Sequence, residues 1–82
     1  MNKKLTTNYY STSDLGLAAT LSLWCQIEGI DRTNPHKAVF LFKRDEELNQ
    51  LLEAYWRREL KVEPQTYFNQ LKAIKARLYS EE

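Results

Sequence analysis

Two glycines, one cysteine and one histidine are all that this 82-residue chain offers of the residues on which much catalytic and cofactor chemistry depends. Each scarcity closes off a class of function. With only Gly16 and Gly29, no glycine-rich loop can wrap backbone N–H groups around a phosphate. A lone Cys25 excludes an internal disulfide framework and fits a reducing compartment. A metal centre needs several His, Cys, Asp or Glu side chains converging at ligand spacing. Here Cys25 and His36 stand apart, and Asp45, Glu46 and Glu47 point in different directions around a helix, so no metal is expected. His36 follows Pro35 in a turn segment and reads as a solvated turn residue, while Cys25 beside Trp24 reads as a small buried hydrophobe. No nucleophile, base and orienting acid can be assembled, and no carboxylate is embedded in an apolar stretch that would shift its pKa. The chain is expected not to be an enzyme and to need no cofactor.

Long apolar runs are missing too. None approaches the roughly 18 residues that crossing a bilayer requires. Lys3 and Lys4 near the N-terminus have no apolar segment behind them, so Met1–Asn8 does not read as a secretory signal. A cytoplasmic protein without a membrane partner is the expectation. A formal net charge of +1 argues against a strongly electrostatic nucleic-acid binder. The charge is uneven, however. Between Tyr55 and Ser80 stand six cations (Arg57, Arg58, Lys61, Lys72, Lys75, Arg77) and two acids (Glu59, Glu63), a local balance of +4.

What is present is a clear alternation of periods. The length allows one domain, expected over residues 8–80 behind a flexible arm of residues 1–7. Asn8–Ser11 has strand character, and a helix follows from Asp14 to about Trp24, with Ser11 or Ser13 as its cap. Leu15, Leu17, Ala18, Ala19, Leu21, Leu23 and Trp24 nearly encircle that helix, which predicts a buried central element, and its small residues would admit a close neighbour. Cys25–Arg32 reads as a strand with Gly29 as a weak point or bulge, and Thr33–His36 as a turn. Lys37–Lys43, with Phe40 and Phe42 on one face and Val39 and Leu41 on the other, reads as the central strand of the sheet. Asp45 caps a second helix carrying Leu48, Leu51, Leu52, Tyr55 and Trp56, which ends near Arg58. An extended connector leads to Pro64 and the last helix. There Tyr67, Leu71, Ile74 and Leu78 form one apolar stripe, flanked by Phe68, Lys72, Lys75 and Tyr79. The order is β-α-β-β-α-α, an α+β fold with a small, about three-stranded antiparallel sheet and helices packed on it.

Several of these segments form a pattern together: Tyr10-Ser11-Thr12-Ser13-Asp14-Leu15 leading into Leu17-Ala18-Ala19, then Val39–Phe42, Ala54-Tyr55-Trp56, and Phe68-Asn69-Gln70-Leu71-Lys72 running to Arg77-Leu78-Tyr79. In this order and spacing they resemble a family of small prokaryotic single-domain proteins catalogued only as a domain of unknown function. The resemblance covers roughly residues 9–79 and implies no activity.

Two surfaces remain as candidates for binding. Arg57, Arg58, Lys72, Lys75 and Arg77 can neutralise phosphates, and Phe68 and Tyr79 offer planes on which exposed bases can stack. The plainer alternative makes Phe68 and Tyr79 the rim of the core, with the lysine stems lying along it. The second surface is aromatic. Tyr9 and Tyr10 are adjacent, so on a strand one faces out and can meet a protein partner, whereas Trp24 and Trp56 are assigned to the core. The expectation is a non-enzymatic binding module, with nucleic acid of either type favoured narrowly. The alternative is a protein-interaction module: a homodimer, or a small subunit of a larger assembly with a regulatory or inhibitory role.

Overall fold

The computed structural model describes residues 8–80, so the arm expected over residues 1–7 lies outside the described residues. Along the chain run β1 (Tyr9–Thr12), α1 (Leu15–Leu21), β2 (Ile27–Asn34), β3 (Lys37–Lys43), α2 (Glu46–Trp56) and α3 (Pro64–Ser80). The strands form one antiparallel sheet in the order β1-β3-β2, so the expected α+β fold with a central β3 is what the chain adopts.

The register explains why β3 is apolar on both sides. Tyr10 and Ile27 both pair with Phe42, and Thr12 and Ile30 both pair with Phe40, which puts these side chains on one face. That face carries the core: Phe40, Phe42 and Ile27 close against Leu17, Ala18, Ala19 and Leu21 of α1, Leu48 of α2 and Ile74 of α3. Val39 and Leu41 point the other way, are half-buried and lie outside that cluster. Tyr67, Leu71 and Leu78 pack against the cluster from α3, as the apolar stripe predicts.

Glycine has a packing role in this core. A Cβ added to Gly16 would lie 3.3 Å from the Tyr67 hydroxyl oxygen, so α1 and α3 meet where α1 has no side chain. Gly29 sits at a register irregularity, Ile27 pairing with Phe42 and Gly29 with Leu41, so β2 carries one extra residue there.

Three sequence expectations are corrected. Helix α1 is capped by Asp14, whose side chain accepts from the Leu17 N–H, and neither Ser11 nor Ser13 is the cap. Ser11 belongs to β1, and Thr12 fixes Asp14 by accepting from its N–H at 3.1 Å. The helix also ends at Leu21, short of Trp24. The N–H groups of Leu23 and Trp24 bond three residues back, to Thr20 and Leu21, which tightens the last turn, and the Ser22 hydroxyl donates to the Ala19 carbonyl. Because Cys25 still donates to Leu21 in that turn, β2 starts two residues late, at Ile27, and runs to Asn34, which pairs with Lys37 across Pro35-His36. The third correction concerns the tryptophans: Trp24 is 45% exposed and Trp56 65%, so neither belongs to the core. Trp24 falls beyond the shortened helix, and Trp56 is the last residue of α2, one position past Tyr55 on the edge of the apolar stripe.

Candidate nucleic-acid interface

Helix α3 is held by its ends and by one stripe, and this decides which side faces water. Pro64 fills the first helical position, where a missing N–H does no harm. Glu63, just before it, accepts from the N–H and the hydroxyl of Thr66 at 2.7 and 2.9 Å. These bonds, with one from the Gln65 N–H, hold the Glu63 carboxyl below the usual glutamate range. At the other end the Arg32 guanidinium, from β2, donates to the Leu78 carbonyl at 3.1 Å and to the Arg77 carbonyl at 3.5 Å.

With Ile74 buried in the core, the flank of Phe68, Lys72, Lys75 and Tyr79 turns outward, and all four are exposed. Phe68 keeps 55% of its surface in water and Tyr79 82%, so neither is the rim of the core. The Lys72 ammonium lies 5.1 Å from the centre of the Phe68 ring, within cation–π range. Among the described residues no acid forms an ion pair with Lys72 or Lys75. Phe68 and Tyr79 stand eleven residues apart, about 16 Å along the helix axis at 1.5 Å per residue.

The other cations named from the sequence do not join that flank. Arg77 is nine residues from Phe68, half a turn around the helix, and lines a depression with Gln70, Ser22, Cys25, Gln26 and Ile27. Arg57 ends α2 and pairs with Glu53 at 3.1 Å across an exposed surface, where such a pair contributes little. Arg58 follows it with φ 62° and lines a separate depression with Tyr55, Trp56 and Leu60. The tyrosines of β1 divide as adjacent strand residues must. Tyr9, paired with Lys43 on the open side of the sheet, is 55% exposed. Tyr10, opposite Phe42, is half-buried with the Arg44 guanidinium 5.2 Å over its ring.

The remaining chemically versatile groups serve local structure. Asp45 accepts from the Leu48 N–H at 2.9 Å to cap α2. Asp31 accepts from the hydroxyl and the N–H of Thr33, which together hold its carboxyl below the usual range. Burial pushes the Cys25 thiol up, and the charges of Glu47 and Asp45 push it further. His36 donates its backbone N–H to the Asn34 side chain at 2.9 Å in the exposed turn. Among the described residues no three His, Cys, Asp or Glu side chains gather where they could hold a metal ion, and no helix is long and apolar enough to cross a membrane. The sequence reading missed Trp56 as a surface residue. The usable signal was its place at the very end of α2, directly before two arginines.

The family model described as a domain of unknown function, DUF5659, matches residues 7–80, and the chain belongs to that family. That span closely follows the residues on which the resemblance rested. No curated protein and no solved structure matches the chain.

Proposed function

We propose that this member of the DUF5659 family is a non-enzymatic binding module that contacts nucleic acid through the outer flank of α3. The observation that carries the reading is that Phe68, Lys72, Lys75 and Tyr79 share one exposed face on which, among the described residues, no acid neutralises the lysines. Cations there can pair with phosphates, and rings beside them can take bases, with little sequence preference. The assignment of Asp14, Asp45 and Glu63 to helix caps supports a non-catalytic role, because those carboxylates are already engaged by backbone donors. A cytoplasmic setting, in which Cys25 stays reduced, goes with this reading.

Fluorescence anisotropy against labelled RNA and DNA across a salt series tests it. Two phosphate contacts give a salt slope of about −1.4 on a single strand. The double substitution Lys72→Glu and Lys75→Glu is expected to abolish binding while the circular dichroism and melting profile stay unchanged. Binding that survives the double substitution places the site elsewhere.

A second reading rests on Tyr9, exposed on the short edge strand β1. An unpaired strand edge with an aromatic beside it suits another protein chain, including a second copy of this one. Sedimentation over a concentration range, with Tyr9→Ser alongside, distinguishes the two, since an aromatic interface is nearly indifferent to salt.

A further inference from the structure

Arg58 is the one non-glycine residue with a positive φ among the described residues, at 62°. Gly16 and Gly29, the residues to which that conformation comes most easily, have none. Two hydrogen bonds hold Arg58 in this state. Its own N–H donates to the Tyr55 carbonyl at 3.0 Å, and the Glu59 N–H reaches back to the Ala54 carbonyl at 2.9 Å. This is the paired closure of a helix C-terminus that most often has glycine at the turning residue. The chain thus carries an arginine where its backbone favours glycine, and strain of this kind points to a use for the side chain.

The Arg58 side chain is exposed, and none of the described residues accepts a hydrogen bond from its guanidinium. It borders the depression shared with Tyr55, Trp56 and Leu60. Trp56 is 65% exposed, and its ring stands perpendicular to that of Tyr55, centres 5.1 Å apart. Tyr55 itself packs against the core and so braces the indole at the surface. An exposed ring and an exposed cation therefore line one depression here, as Phe68 and Lys72 share the α3 flank. A repeated ring-and-cation unit matches a polymer that repeats base and phosphate. It does not match a duplex, whose base faces are already stacked on one another.

We propose that Trp56 and Arg58 form a seat for one nucleotide of a single strand, the indole stacking on the base and the guanidinium pairing with the phosphate. This rests on the nucleic-acid reading of the α3 flank and adds both a second contact point and the strandedness of the ligand.

The test compares the whole protein with Arg58→Gly and Trp56→Ala, using a short labelled oligothymidylate and a hairpin duplex as probes across a salt series. Arg58→Gly is expected to melt roughly 4–8 °C higher, because glycine accepts the turning conformation freely. It is also expected to bind more weakly, with a salt slope shallower by about 0.7. Trp56→Ala is expected to lose roughly 5- to 100-fold in affinity with the slope unchanged. If both variants bind like the parent while Lys72→Glu with Lys75→Glu does not, the seat is refuted and the flank reading stands. Duplex bound as tightly as oligothymidylate overturns the single-strand assignment alone. An Arg58→Gly variant no more heat-stable than the parent removes the argument from strain. A parent that binds neither probe at low salt overturns the seat and the flank together and turns the search to protein partners.

Discussion

The hydroxyl oxygen of Tyr67 lies 3.3 Å from where a methyl group on Gly16 would sit, so α1 and α3 approach as closely as a side-chain-free residue permits. Two effects oppose each other in Gly16→Ala: alanine favours the helix by roughly 0.8–1.0 kcal/mol, and the methyl crowds the tyrosine. Removing the hydroxyl should expose the first effect. Gly16→Ala is expected to be better tolerated by about 0.5–1 kcal/mol in a Tyr67→Phe background than in the parent, as measured by urea midpoints in a double-mutant cycle. A cycle that closes to zero would place no contact between these residues.

Glu63 makes α3 sensitive to acid. Its carboxyl titrates below the ordinary glutamate value because Thr66 and Gln65 donate to the charged form. A depressed folded-state pKa stabilises above the unfolded pKa, and the contribution is lost as pH falls through the folded one. The melting temperature of Glu63→Gln should therefore fall below the parent's at neutral pH. The gap should close on acidification below the ordinary glutamate pKa of 4.5. A gap that is constant with pH would assign the capping to the neutral carboxyl.

Arg32 joins the far end of β2 to the last turn of α3 through the Leu78 and Arg77 carbonyls. Arg32→Ala is expected to lower stability by about 1 kcal/mol and to loosen the C-terminal turn before the rest of the fold. Hydrogen exchange resolved by residue reads this directly. Uniform loss of protection would mean that Arg32 supports the whole domain instead.

The two sides of α3 should differ sharply on truncation. Ile74→Ala removes a side chain that is 2% exposed and is expected to cost about 2–5 kcal/mol. Phe68→Ala, at a position 55% exposed, should stay within about 0.5 kcal/mol. Equal losses in urea melts would show that Phe68 packs in the core and that the flank is no binding face.

Cys25 should be a slow nucleophile. Burial and the charges of Glu47 and Asp45 raise its pKa above the ordinary 9.0, so alkylation should turn on at higher pH than for a small free thiol. Replacing Glu47 with Gln should move that profile down. An unmoved profile would leave burial and the Asp45 charge as the causes.

Much of the architecture was legible because the periods are strong. The unbroken apolar run between Lys37 and Lys43 suits a strand covered on both faces, and the i, i+4, i+7, i+11 stripe from Tyr67 to Leu78 allows one inward face, since any other would bury charge. Asp45 and Pro64 mark helix starts by local chemistry that needs no partner. The end of α1 was not legible in the same way. Leu23 and Trp24 continue its apolar pattern, and only the need to turn into β2 stops the helix at Leu21. The candidate site shows the same division. The grouping of Phe68, Lys72, Lys75 and Tyr79 follows from helical spacing, whereas the exposure of Trp56 does not.

By itself the sequence determined the element order, the central strand, the inward stripe of α3 and the flank beside it, because each shows as a pattern among residues a few positions apart in the chain. Only the tertiary structure decided which aromatics reach water and that Arg32 closes the last turn of α3. Those outcomes depend on where one element meets another, and that is set by packing between residues distant in the chain.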